Sequence, residues 1–141
     1  MHHIFISIFT LAIILQGFSQ NHPTNYFQAP LDIPLILSGT FGELRSNHFH
    51  AGIDIKTQGA SGHKVYTVAD GYVSRIKVSP WGYGKALYIT HYNGYTSVYA
   101  HLSKYHGVIE KYVKTAQYNK ESFAIEIFPQ KNDLIVKKGD L

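Results

Sequence analysis

The sequence predicts a mainly β fold, an antiparallel sheet with one small helical insertion. Several short segments between residues 37 and 128 alternate apolar and polar side chains with the two-residue period of a half-buried strand. Two dipeptides that are typical of hairpin turns, Asp70-Gly71 and Asn93-Gly94, lie between such segments. Helical spacing is found in one stretch, from Val108 to Glu121.

The first strands are predicted on either side of Asp70-Gly71. Residues 64–68 are rich in β-forming side chains, and a hairpin turn at Asp70-Gly71 would lead from them into the next strand. The following residues, 72–78, alternate in character. We therefore expect one face to carry Tyr72, Ser74, Ile76 and Val78, and the other Val73, Arg75 and Lys77.

Asn93-Gly94 predicts a second hairpin, between strands at 86–92 and 95–102. A two-residue loop pairs position 91 with 96, and 86 with 101. In that register His101 shares a face with Ser97 and Tyr99, whereas His91 points to the opposite face. We therefore interpret His91 as structural. For His101, a bond to backbone and a functional role remain equally open.

The rest of the chain adds one helix, one strand and a turn. Val108 and Tyr112 share a helix face within residues 108–121, and alternation returns at 123–128. Residues 136–141 resemble a turn that enters another element. Trp81 and Tyr83, in a Gly-rich loop, could stack on a ligand or cover the end of the sheet, and we favour covering.

The N-terminal residues predict an exported protein with one folded domain at 37–141. Residues 1–19 contain no Lys, Arg, Asp or Glu, and an apolar run is followed by small residues, as in a signal peptide. The run is shorter than the roughly 20 residues of a membrane span, although an uncleaved anchor is the alternative. Residues 20–36 contain three prolines and predict an extended lead-in. We expect the mature protein in the periplasm, cell envelope or extracellular space, with no stable membrane span.

Composition limits the kinds of site the chain can build. It has nine histidines and no cysteine, so disulfides and thiolate metal sites are excluded, and a metal would need His and carboxylate ligands. The formal charge of +4 suits an anionic surface such as a cell wall, or simply a solvated surface. Lys and Arg are scattered, which does not favour nucleic acid. The oligomeric state is not indicated.

The densest group of potential ligands lies between His48 and Asp54. Imidazole and carboxylate are good zinc ligands, but His50 and Asp54 would lie ~13 Å apart on a straight strand. A bend at Ala51-Gly52 would bring them together, and glycine permits it. His48 could replace His50 or support it, and we favour His50 because the glycine separates it from Asp54. Taken alone, the motif could also be a surface loop with solvated histidines.

Five ordered motifs together resemble the M23 (lysostaphin-like) family of peptidases, over about residues 37–141. The first combines Phe41-Gly42-Glu43-Leu44-Arg45 with His50-Ala51-Gly52-Ile53-Asp54. The others are Val68-Ala69-Asp70-Gly71-Tyr72-Val73, the hairpin Tyr83 to Tyr95, Tyr99-Ala100-His101-Leu102, and Val136-Lys137-Lys138-Gly139-Asp140.

The resemblance implies a zinc metalloendopeptidase that hydrolyses peptide bonds in peptidoglycan. It implies His50 and Asp54 as zinc ligands, and His101 as the histidine that orients or deprotonates the attacking water. It also implies a third ligand from a C-terminal His-x-His strand. No such motif follows Asp140, so we expect an incomplete domain in which residues 108–131 are an insertion at the groove rim. The alternative is a non-catalytic module that binds peptidoglycan or regulates a hydrolase.

Overall fold

The computed structural model describes residues 24–141 and contains two antiparallel sheets and one helix. The predicted signal peptide at 1–19 lies outside the described residues. The elements in chain order are β1 Leu37–Gly39, β2 Asp54–Ile55, β3 Gly71–Val78, β4 Lys85–His91, β5 Thr96–Tyr99, α1 Gly107–Asn119, β6 Ile125–Ile127 and β7 Ile135–Val136. β1 pairs with β2, and the larger sheet has the order β5-β4-β3-β6, with β7 also on β3. The predicted fold class is confirmed.

One face of the larger sheet forms the core, which α1 covers. Ile76 and Ile89 from the central strands β3 and β4 are fully buried, and Ile109 and Val113 of α1 belong to the same cluster. The helix prediction is confirmed, but the face is not, because Val108 is 70% exposed. Among residues 24–141, no helix is both long enough and apolar enough to cross a membrane.

A β-bulge in β3 overturns the simple alternation predicted for residues 72–78. Val73 pairs with Ile89 and Arg75 with Tyr88, so the register shifts across Ser74. The extra residue puts Val73, rather than Tyr72, on the same buried face as Ile76 and Val78. A bulge depends on pairing with a neighbouring strand, which periodicity within one segment does not report.

The register of the β4–β5 hairpin also differs from the prediction by one residue. The amide of His91 donates to the carbonyl of Tyr95 at 2.8 Å, and Thr90 pairs with Thr96. The loop therefore has three residues, and Gly94 adopts a left-handed φ of 88°. A one-residue shift reverses the faces, so His91 lies on the same face as Ser97 and Tyr99.

Residues 64–68 form no named strand, so the predicted hairpin at Asp70-Gly71 is wrong. Their backbone groups bond to both ends of the described chain. Tyr66 donates to the carbonyl of Pro30 at 2.9 Å, and Thr67 donates to that of Asp140 at 2.8 Å. The extended segment is thus held between the lead-in and the C-terminal turn. The strand predicted at 123–128 is present in shorter form as β6.

Candidate metal site

His50 and Asp54 are brought together on the small β1–β2 sheet. Asp54 begins β2 and pairs with Gly39 of β1, while the chain bends at Gly52 between the two potential ligands. Nε2 of His50 lies 3.4 Å from Oδ1 of Asp54. Two ligands of one zinc ion have donor atoms about 3–4 Å apart, given bonds near 2 Å. The predicted bend is therefore present, and the spacing of the two donor atoms fits a common ion.

The ring of His50 is oriented by its other nitrogen. Nδ1 lies 3.0 Å from the carbonyl oxygen of Thr40, which can only accept a hydrogen bond. Nδ1 also lies 3.3 Å from Nη2 of Arg45, which can only donate. With the hydrogen assigned to the shorter contact, on Nδ1, Nε2 is left to present its lone pair toward Asp54. This is the tautomer that a metal ligand binding through Nε2 requires.

The carboxylate of Asp54 is oriented by Arg45. Nη2 of Arg45 donates to Oδ2 of Asp54 at 2.8 Å, which leaves Oδ1 as the oxygen nearest to His50. Nη2 also lies 3.4 Å from Oε2 of Glu43, and that carboxylate accepts the amide of Thr40 at 3.1 Å. Glu43 and Arg45 belong to the first sequence motif, which by itself indicates no role for either. The signal available in the sequence was one acidic and one basic residue, Glu43 and Arg45, a short distance before the candidate carboxylate ligand Asp54.

His48 does not join this pair. Its ring lies against Asn47, with Nδ1 2.6 Å from Oδ1, and its side chain is exposed. Within residues 24–141, no group of three or more His, Cys, Asp or Glu side chains comes together as a potential metal site. His50 and Asp54 thus fit two of the three protein positions around a catalytic zinc ion. The third position has no candidate in the described part of the chain.

His101 lies just beyond β5, not within the strand as the sequence suggested. It is exposed and has a left-handed φ of 56°, a conformation that costs about 1–3 kcal/mol for a residue other than glycine. Its amide donates to the carbonyl of Tyr83 at 2.9 Å, and the two rings meet edge to face at 6.3 Å. The backbone and the ring of Tyr83 therefore hold His101 in place, a role that sequence reasoning missed.

His101 lines a cavity of about 580 Å³ on the core side of the larger sheet. Its apolar wall includes Leu87, Ile89 and Tyr105, and His63 and His106 also border it. Thr57, three residues after Asp54, lies at the same cavity. The cavity is thus bordered by His101 and by the segment that follows the candidate metal ligands, whereas His50 and Asp54 themselves do not line it.

His91 is a buried structural residue, as predicted, although the predicted orientation was wrong. It is 2% exposed, with Nδ1 3.0 Å from the carbonyl of Asp70 and Nε2 2.9 Å from Oγ of Ser97. The hydroxyl of Tyr99 lies 3.2 Å from Oγ of Ser97 and accepts the amide of Val68. Burial raises the pKa of Tyr99. This chain of bonds joins β4 and β5 to the segment before β3.

Trp81 does not cover the end of the sheet, contrary to the interpretation that we favoured. It is 81% exposed. Its amide donates to Oγ of Ser79 at 3.1 Å, which shapes the turn and leaves the indole outside. Tyr83, in the same loop, instead contacts His101.

Comparison with known families identifies the domain. A family model described as "Peptidase family M23" matches residues 48–118, half of the chain, and this range contains His50, Asp54 and His101. No curated protein and no solved structure matches the chain. With the mainly β architecture, the match is sufficient for a family assignment. The chain belongs to peptidase family M23.

Proposed function

We propose that this peptidase-family domain acts as a zinc metalloendopeptidase on peptide bonds in peptidoglycan. The observation that carries the proposal is the 3.4 Å approach of His50 Nε2 to Asp54 Oδ1. The carbonyl of Thr40 orients His50, and Arg45, which also lies 3.3 Å from Nδ1 of His50, orients Asp54. His50 and Asp54 would hold the ion, and the family resemblance implies a third ligand from a His-x-His motif, for which residues 24–141 offer no candidate. When bound, zinc would polarise the scissile carbonyl and lower the pKa of a water to about 7.

His101 is the proposed proton carrier. Imidazole is the commonest general acid or base in enzymes because its pKa lies near neutrality. The position of His101 at the cavity supports this role, since a peptide in the cavity would be within its reach. The left-handed backbone and the contact with Tyr83 would keep the ring at the opening.

Features of the whole chain support peptidoglycan as the substrate. The cavity volume is within the range of roughly 300–1,000 Å³ that is usual for small-ligand sites, so it suits a short peptide. The formal charge of +4 favours association with an anionic wall, and the N-terminal sequence is consistent with export. We propose that the protein works in the periplasm, the cell envelope or outside the cell.

Alanine variants of the full chain test the roles of the three residues. His50→Ala and Asp54→Ala should each weaken zinc binding at least about tenfold, as measured by competition with a chelating dye. His101→Ala should keep zinc and slow the release of amino groups from purified peptidoglycan about 10²–10⁴-fold.

His48→Ala is the matched control, since His48 lies outside the pair and should change neither measurement. The ligand assignment is wrong if His48→Ala and His50→Ala weaken zinc binding equally. Unchanged hydrolysis by His101→Ala would remove that residue from the mechanism.

A non-catalytic module that binds peptidoglycan or regulates a hydrolase is the second candidate. It is favoured by one observation, that residues 24–141 bring together two rather than three potential zinc ligands. Sedimentation with purified peptidoglycan separates the candidates. Binding without release of amino groups, with zinc present, supports the module. Release of amino groups supports the peptidase, and failure to bind or cleave rejects both.

A further inference from the structure

We propose that Arg45 and Gly39 are positioning residues that hold the carboxylate of Asp54 with Oδ1 facing His50. This inference rests on the proposed zinc site, because its purpose is to prepare one of the ligands. Neither residue would contact the metal or the substrate. They act through Asp54, one by a charged hydrogen bond and the other by leaving space.

Arg45 holds Oδ2 and so determines which oxygen is presented. Its Nη2 donates to Oδ2 at 2.8 Å, the usual length of a charge-assisted hydrogen bond. Oε2 of Glu43 lies 3.4 Å from the same nitrogen, and Nδ1 of His50 lies 3.3 Å from it. A free carboxylate turns readily about its last torsion angle, and this contact removes that freedom. Oδ1 is then directed to Nε2 of His50 before any ion arrives.

Gly39 supplies the space in which Arg45 and Asp54 meet. It is buried in β1 opposite Asp54, and an added Cβ would lie 2.5 Å from both Nη2 of Arg45 and Oδ2 of Asp54. Real Cβ atoms essentially never approach other atoms so closely. The φ angle of Gly39 is not positive, so its backbone conformation does not require glycine at this position. Its lack of a side chain is therefore explained by the ion pair that packs against it.

Two effects of the Arg45 charge oppose each other in zinc binding. The guanidinium orients Asp54, which favours the ion, but its positive charge also repels the ion. Arg45→Lys separates the two, because lysine keeps the charge but its side chain is one bond shorter, so its nitrogen does not reach the position from which Nη2 contacts both Asp54 and Glu43. The substitution also removes Nε of Arg45, which is buried without a hydrogen-bond partner among the described residues.

The ion pair itself adds little to global stability. The side chains of Arg45 and Asp54 are 37% and 46% exposed, and ion pairs open to solvent are weak. A positioning role and a structural role therefore predict different results. Loss of positioning weakens zinc binding by the folded protein, whereas loss of a structural contact lowers the unfolding midpoint and leaves the affinity of the folded fraction unchanged.

Zinc affinity of full-chain variants is the first test. Arg45→Lys and Gly39→Ala should each weaken zinc binding about 10-fold or more, the range found for groups that orient metal ligands, with little change in the urea midpoint. Arg75→Lys is the matched control, because Arg75 pairs with Glu126 on the larger sheet and away from the site. Wild-type affinity in both Arg45→Lys and Gly39→Ala would overturn the proposal.

Nuclear magnetic resonance of the zinc-free protein tests the contact without metal. The chain has two arginines, so rotation of each guanidinium is readily assigned. Rotation of Arg45 should be slow in the wild type and should become fast in Gly39→Ala, while Arg75 stays unchanged. Fast rotation of Arg45 in the wild type would reject the proposal. If the wild type binds no zinc, the proposed metal site fails, and this measurement alone decides whether Gly39 and Arg45 hold Asp54.

Discussion

Asp70 joins the C-terminal turn to the start of β3. Its Oδ1 accepts the amide of Lys138 at 2.7 Å, and Nζ of Lys137 lies 3.5 Å from Oδ2. The hydrogen bond from Lys138 and the charge of Lys137 lower the pKa of Asp70. Its carbonyl meanwhile faces Nδ1 of His91. One residue thus links three segments that are distant in the sequence.

The lowered pKa of Asp70 predicts a pH-dependent effect of Asp70→Asn. The folded state favours the ionised form of Asp70. The carboxylate therefore stabilises the fold above its unfolded pKa, near 3.8, and this stabilisation is lost as the pH falls through the lower pKa of the folded state. Asp70→Asn should lower the urea midpoint at pH 7, and the difference from wild type should shrink below about pH 4. Unfolding curves from pH 7 to pH 3 would show this. A difference that stays constant over that range would contradict the prediction.

Among the elements, α1 is connected to the sheet through Tyr105, just before the helix. The hydroxyl of Tyr105 lies 3.0 Å from the carbonyl of Lys77 and 3.1 Å from that of Ala86, which face each other across β3 and β4. Its amide donates to Glu110 in the first turn of α1 at 3.2 Å. Burial raises the pKa of this hydroxyl, which therefore stays protonated as a donor.

Tyr105→Phe should lower the free energy of unfolding by about 1 kcal/mol, because the carbonyls of Lys77 and Ala86 lose the single hydroxyl donor that they share while the ring is kept. Urea unfolding at pH 7 measures the change. Tyr118→Phe, on the exposed side of α1, is the control and should be nearly neutral. Equal changes in the two variants would contradict an anchoring role for the Tyr105 hydroxyl.

Across the whole molecule, the described part of the lead-in closes the fold. The ring of Phe27 meets those of His91 and Tyr95 edge to face, at 5.6 and 6.0 Å. Gln28 bonds to the backbone of Thr67 and Val68, at 3.0 and 2.9 Å. Residues 66–68, which have no strand partner, are therefore held in part by the lead-in.

Phe27→Ala should destabilise the protein by about 1–2 kcal/mol, since aromatic pairs contribute about 0.5–1.5 kcal/mol each beyond their buried area. The same substitution at Trp81, an exposed aromatic, is the control and should have little effect on the urea midpoint. Faster amide exchange at Thr67 and Val68 in Phe27→Ala would support the closing role. Exchange rates equal to wild type would contradict it.

Local patterns were sufficient for the fold class, for α1 and for the approach of His50 to Asp54. Strand and helix periodicity arise within a few residues, and the bend at Gly52 lies between the two ligands. Local patterns did not determine the register of β4 and β5, because both a two-residue loop and a three-residue loop are compatible with Asn93-Gly94.

The sequence by itself determined the class of the fold, its helix, its family and the two candidate metal ligands, because each is encoded by neighbouring residues or an ordered set of motifs. Only the tertiary structure decided the bulge at Ser74, the partners of residues 66–68, and the meeting of Gly39, Arg45 and Asp54. These features depend on which distant segments pack together. Their physical cause is long-range hydrogen bonding and steric fit, which the period of a single segment does not contain.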